Sequence, residues 1–440
     1  MADGSPLDAL LAYAQSKAIE LHAHVRAVHA EAEGYGLVSE QQLGAGEAVL
    51  RLPLGGTLSL ASTLPPEVAP LLASLDPKHA LALLLCITPG LDGWVKSWSP
   101  TPQGSWGFCD TPEWEALVEW NREVADRHAE CTSSTAAAFD RKIAPFFAEH
   151  AQLGAVSLAR FSWAVSMVDS RAARVGLFGQ ERLVLMPLVD LLNHRAAPSC
   201  SLGFEPDAGV GGQLVVRTWR TVDPGEQLTI SYGAKSNDEL ISGYGFALAS
   251  NPSERVALAV PISGEPSLLK QKCAMLPRGT TRENAAGTKE ALVSFGWAET
   301  SDSGADEPKQ VELPAEVWLV LRVAGAADMA EMFAAMSAAG DASEEEEEPP
   351  LGIAPAPLPT VSGPYPPSST AAAWGLLLRA CEAQQMAIVA MVLPVTPEAE
   401  TGPANRAAAA AAAAAATARM ELLGATIAAA RTALAAGSVL

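Results

Sequence analysis

Apolar residues recur at Leu7, Leu10, Leu11, Ala14 and Ala18. That is the spacing of one helix face, and Ser5 stands where an N-cap belongs. Ala32 to Val38 follows, with Gly34 and Gly36 on either side of Tyr35. This reads as a tight turn between strands, with backbone open to close approach. Gly44-Ala45-Gly46-Glu47 and Val49 to Pro53 extend the pattern to strand, turn and strand. Residues 64–165 read as helical and loop-rich, with an apolar helix over His79 to Cys86. Trp94, Trp98, Trp106, Trp114 and Trp120 crowd a Pro/Gly-rich part of this region, and core packing accounts for them. Phe161 to Arg171 predicts a helix with Trp163, Val165 and Val168 inward.

The most informative pattern is Leu183 to His194, an apolar run that ends in Asp190, Asn193 and His194. Such a run reads as a buried segment whose polar end opens on a cleft. Asn carries a donor and an acceptor, and neutral His does the same. The pair suits an adenine ring and the polar atoms of an amino acid. Leu228 to Tyr232 alternates and is rich in β-branched residues, so it predicts a strand with Tyr232 at its tip. Ser236-Asn237-Asp238-Glu239 has capping-box spacing and starts a short helix, which Gly243 to Phe246 ends. Beyond Phe246, Arg255 to Val260 predicts a strand. Helices are expected over Thr288 to Phe295, Pro314 to Val323, Ala371 to Leu393 and Arg406 to Leu434. Glu344 to Glu348 and the Pro-rich stretch after it predict a disordered loop over about 340–368.

Bulk properties narrow the field. At 440 residues the chain has room for two or three domains. A net charge of −21 argues against direct nucleic-acid binding, which calls for a basic face. Six cysteines lie far apart with no Cys-x-x-Cys pair, against a structural zinc cluster and in keeping with a reducing compartment. His22, His24 and His29 are close together, but no acid or thiol at ligand spacing completes a set, so no metal is expected. No apolar segment is long enough to span a membrane. The N-terminal residues lack the Arg/Ser-rich pattern of a transit peptide, so cytoplasm or nucleus is expected, with a chloroplast location left open.

Asn193-His194, Gly225-Glu226-Gln227-Leu228 and Ser231-Tyr232-Gly233, in this order, resemble the SET-domain protein methyltransferases. Pro187 to His194 and Ser231 to Asn237 are similar to the branch of the Rubisco large-subunit lysine methyltransferase. The resemblance implies an α+β fold with small β-sheets and a pseudoknot-like crossing. It places a SET domain over 1–250 with a helical insertion at about 64–165, then a mostly helical substrate-binding domain over 251–440. It implies S-adenosyl-L-methionine as cofactor, contacted by Glu33, Gly34, Tyr35, Arg171, Asp190, Asn193, His194 and Tyr232. Arg171 binds the cofactor's carboxylate or holds the cleft in shape, and Asp190 contacts the cofactor or anchors its turn. Tyr232 is the implied catalytic residue, and Arg171, Tyr244 and Phe246 the implied substrate contacts. Ala172 and Ala173 stand where relatives carry an aromatic, which puts the shape of the acceptor pocket in question. The expected reaction is methylation of a lysine on a protein substrate, histone or non-histone, by a monomer. A histidine acceptor and a catalytically silent binding module are the alternatives. On this reading Tyr232→Phe lowers turnover and spares cofactor affinity, while His194→Ala does the reverse.

Overall fold

A computed structural model describes residues 5–30, 34–60, 66–107, 109, 111–206, 211–277, 280–284, 287–297, 311–312, 314–328, 330–331, 367–392 and 403–437. The chain separates into two compact units. One holds residues 1–115, 124–246 and 403–408, and the other 116–123, 247–402 and 409–440.

The first unit opens with a helix over Pro6–Ser16, held by a capping box between Ser5 and Asp8. Such a cap contributes about 1 kcal/mol by satisfying N–H groups that the first turn leaves unpaired. Its strands in chain order are β1 (Glu20–Leu21), β2 (Val25–Ala30), β3 (Gly34–Ser39), β4 (Ala48–Pro53), β5 (Leu58–Ser59), β6 (Ala173–Leu177), β7 (Gln180–Leu185), β8 (Asn193–His194), β9 (Cys200–Pro206), β10 (Gly212–Thr218) and β11 (Gln227–Ile230). They form three small sheets, ordered β1-β4-β10-β9, β2-β3-β11-β8 and β5-β7-β6. In the second of these, β11 runs antiparallel to β3 and parallel to β8, with Thr229 opposite Asn193 and Ile230 opposite His194. Between β5 and β6 every regular element among the described residues is helical, ending in the helix Leu158–Arg171. That helix packs on the helix Pro77–Ile87, and Phe161, Val165, Met167, Leu81 and Leu84 are buried in the shared core. Trp94, Trp98, Trp163, Val165 and Val168 are buried, as the packing reading expects.

Two local expectations change. Gly34-Tyr35-Gly36 is not a turn but the start of β3, opposite β2. Leu183 to His194 is not one element: β7 ends at Leu185, a single 3-10 turn spans Val189–Leu191, and β8 follows.

The second unit contains a sheet of β12 (Arg255–Pro261), β13 (Thr281–Glu283), β14 (Lys289–Trp297) and β15 (Val311–Glu312), ordered β12-β14-β13 with β15 also on β14. Thr288 to Phe295, expected as a helix, is therefore a strand. Ala291, Val293 and Phe295 are buried at a period of two, and that alternation prevails over the helix-forming residues around it. Helices cover Ala315–Gly325, Pro367–Val392 and Pro403–Gly437. Lys272 is buried, and its ammonium donates to the carbonyls of Ser263, Ala324 and Ala326 at 2.5, 3.0 and 2.7 Å. The acidic, Pro-rich loop lies outside the described residues except for its last two, which begin the helix at Pro367. Among the described residues no helix is long and apolar enough to cross a membrane, and no His/Cys/Asp/Glu group is arranged to hold a metal.

Candidate active site

The strand pairing that unites β3, β11 and β8 also builds the site. It places Tyr35, Asn193, His194 and the segment leading to Tyr232 side by side. Asn193 Nδ2 donates to the Tyr35 carbonyl at 3.4 Å. Gly36 permits this arrangement: a Cβ there would stand 2.7 Å from Gln227 Nε2 and 3.4 Å from Asn193 Nδ2. Any larger residue forces the Gln227 amide away. Gln227 Oε1 is buried with no hydrogen-bond partner among the described residues. Gly34 starts β3 with φ +71°. Glu33 lies outside the described residues.

Tyr232 leaves the end of β11 and is half-buried. Its hydroxyl donates to the Leu192 carbonyl at 2.8 Å, and its backbone N–H donates to His194 Nδ1 at 3.0 Å. His194 is therefore a strut for the tyrosine. Accepting at Nδ1 puts the neutral ring's proton on Nε2. Burial lowers the His194 pKa and favours that neutral form. Desolvation raises the Tyr232 pKa, with Tyr244 and Asp190 adding to the rise and Arg171 opposing it.

The helix Asn237–Tyr244 delivers the second ring. Ser236 and Glu239 form the expected capping box, and Gly245 closes the helix at φ +82°, a left-handed position that suits glycine. Tyr244 thereby stacks on Tyr232 with ring centroids 4.8 Å apart, and Phe246 lies 6.5 Å from Tyr232 and 6.1 Å from His194. Burial pushes the Tyr244 phenol up to about 12, helped by Asp169 and Glu239. A cleft of about 370 Å³ adjoins Tyr244, with Lys78, Cys131, Asp169 and Glu239 in its lining. Lys78 and Asp169 pair there at 3.2 Å.

Arg171 and Asp190 face each other behind these rings. Arg171 Nη1 donates to the Asp190 main-chain carbonyl at 3.2 Å, and its guanidinium lies 5.2 Å from the centre of the Trp98 ring. The Asp190 carboxylate accepts the indole N–H groups of Trp94 and Trp98 on one oxygen, at 2.8 and 2.7 Å. Arg171 Nε and Asp190 Oδ1 are buried without partners among the described residues. Burial lowers the Arg171 pKa and raises that of Asp190, and each charge opposes the other's shift. Trp94 and Trp98 thus belong to the site as well as to the core. A cluster of tryptophans was the only sign of this in the sequence.

A half-buried aromatic wall, a fixed phenol, a glycine-lined backbone and unsatisfied donors and acceptors suit a charged small molecule meeting an amine. Residues 34–233 match the SET domain. That stretch of the chain is accordingly a SET domain. Ribosomal lysine N-methyltransferase set10 of Schizosaccharomyces pombe is 32% identical over 119 residues, which are 26% of this chain and 21% of that protein. The chloroplastic [fructose-bisphosphate aldolase]-lysine N-methyltransferase of Arabidopsis thaliana is 28% identical over 239 residues, covering 50% of this chain and 47% of that protein. The matched stretches thus span less than half of either relative. The SET domain of LSMT bound to MeLysine and AdoHcy superposes with a TM-score of 0.68 at 16% identity, covering 99% of this chain and 94% of that one. The fold of this chain is the LSMT fold.

Proposed function

We propose that the protein is an S-adenosylmethionine-dependent protein-lysine N-methyltransferase. The observation that carries this reading is the setting of Tyr232: its hydroxyl proton is committed to the Leu192 carbonyl and its ring is stacked on Tyr244. The residues fit the cofactor. Gly36 leaves room for the Gln227 and Asn193 amides beside β3, and Gln227 Oε1, Arg171 Nε and Asp190 Oδ1 are buried polar atoms in need of partners. Gly34, Tyr35, Asn193, His194, Arg171 and Asp190 would hold it. When bound, S-adenosylmethionine supplies an electrophilic methyl group on a sulfonium.

The chain's own groups then have defined tasks. A lysine ammonium titrates near ~10.4 in water and must lose its proton before it can act as a nucleophile. Tyr244 and Phe246 present an apolar wall that disfavours the charged amine and excludes water. Tyr232 stays a neutral phenol because its pKa is raised, so it is not a base at physiological pH. With its proton turned to Leu192, its oxygen lone pairs are free to accept an N–H from the neutral amine. That fixes the direction of the nitrogen lone pair, and such orientation contributes roughly 7–11 kcal/mol where it is complete. The proton leaves to water.

The test is incubation of the purified protein with methyl-labelled S-adenosylmethionine and a fractionated lysate, followed by mapping of the labelled residue. Label on lysine supports the proposal. Label on histidine keeps the fold and replaces the acceptor. No label, together with no binding of S-adenosylhomocysteine, leaves a SET-shaped recognition module.

A further inference from the structure

We propose that Asp190 is the counter-charge of the active site and that Trp94 and Trp98 are the positioning residues that hold it there. The inference rests on the cofactor reading above and goes beyond it. It concerns how the site tolerates cations.

Both tryptophans come from the helical insertion, more than ninety positions from Asp190. Trp94 is fully buried and Trp98 is 5% exposed. Trp94 stacks on Tyr13, and Trp98 packs edge-on against Trp94 and tilted against Trp163. Ring packing alone would satisfy their apolar surface. Instead both N–H groups converge on Asp190 Oδ2. Two such donors on one oxygen favour the ionised carboxylate and, with the Arg171 charge, oppose the burial that raises its pKa. They also fix its rotamer, so that Oδ1 is the oxygen left buried and unpaired.

The groups facing this carboxylate are Arg171, Tyr232 and the two indoles. Arg171 is a cation in a buried setting, and a buried cation without a counter-ion is costly. The proposed chemistry brings in a sulfonium, and a lysine that arrives as an ammonium. With Asp190 ionised, Arg171 is balanced and the site is neutral before either enters. With Asp190 neutral, the site already carries a positive charge and repels both. S-adenosylmethionine is a sulfonium and S-adenosylhomocysteine a neutral thioether, so the ratio of their dissociation constants reports this charge without any acceptor protein.

Isothermal titration of both ligands into wild type, Asp190→Asn, Trp94→Phe and Trp98→Phe is the test. Asn keeps an oxygen for the two indoles and removes the charge, with an amide NH2 in the place of Oδ1. We expect Asp190→Asn to weaken S-adenosylmethionine about tenfold more than S-adenosylhomocysteine, because the sulfonium then meets a site with one positive charge left unbalanced. Each Phe variant deletes one N–H and keeps a ring. The carboxylate then takes up a proton more readily, so the same selective loss of S-adenosylmethionine appears as pH is lowered and recovers as it is raised. Equal weakening of the two ligands in Asp190→Asn overturns the proposal, as do Phe variants whose ratio matches wild type at every pH. If Asp190→Asn does not fold, the Phe variants carry the test alone. Wild type binding neither ligand is the separate failure of the cofactor reading.

Discussion

His194→Ala removes the acceptor of the Tyr232 backbone N–H, a bond of 3.0 Å made on the Nδ1 side of a buried ring. It also removes ring contacts to Tyr232 at 5.2 Å and to Phe246 at 6.1 Å. A buried N–H left unpaired costs about 1–3 kcal/mol, and Tyr232 can recover it only by shifting toward another acceptor. A shift of that kind moves the hydroxyl off the Leu192 carbonyl, where it now sits at 2.8 Å. If the whole cost appears in the transition state, turnover falls about 5- to 150-fold. The assay is the initial rate of methyl transfer at saturating cofactor, alongside the dissociation constant of S-adenosylhomocysteine. His194→Asn serves as control, because its side-chain carbonyl can take the place of Nδ1. We expect Ala to lower kcat within that range and Asn to recover part of it. The reasoning is refuted if His194→Ala binds cofactor poorly yet turns over at the wild-type rate once saturated. That is the outcome expected from the sequence alone.

Tyr232→Phe keeps the stack on Tyr244 and loses the hydroxyl; kcat should fall about 100-fold, the scale for losing one preorganised polar group, with S-adenosylhomocysteine affinity unchanged by calorimetry. Gly36→Ala places a methyl 2.7 Å from Gln227 Nε2, so cofactor affinity should drop about tenfold or more with little change in melting temperature. His194 has a lowered folded pKa, so the unfolded chain takes up its proton first. Its stability contribution is present above about pH 6.5 and is lost as pH falls through the folded value. Thermal denaturation from pH 8 to 5 should show that loss, and His194→Asn should flatten it. In the second unit, Lys272→Met leaves three carbonyls without their donor and should destabilise by about 3 kcal/mol or more in denaturant unfolding.

The parts legible in the sequence were those governed by near neighbours. The caps at Ser5 and Ser236 depend on residues three positions away, and both formed as read. The β-branched alternation of Leu228 to Ile230 sufficed to place Tyr232 just past a strand end. What escaped depends on distant partners. Trp94 and Trp98 read as packing residues because nothing local reveals that their N–H groups meet Asp190. Arg171 read as a residue that binds the cofactor's carboxylate or holds the cleft in shape, and nothing local reveals that its guanidinium donates to the Asp190 carbonyl. The β14 error had another origin. Lys289-Glu290-Ala291-Leu292 favours a helix locally, and only the sheet neighbours β12 and β13 tip it to a strand.

The pairing of β11 with β3 and β8 has a consequence for how the protein comes into being. Gln227 sits opposite Val38, and Thr229 opposite Asn193. The first contact closes a very long stretch of chain, and the second is a parallel pairing, which also forms slowly. During synthesis the β2–β3 hairpin and the tryptophan-bearing helices emerge long before their partner strand does. A ribosome-bound chain that stops short of Gln227 therefore holds a partial sheet, an exposed edge on β3 and an incomplete candidate site. Such an edge is a surface on which nascent chains aggregate. Assembly of the candidate site is thus a late event for this chain, waiting on the docking of β11 between β3 and β8.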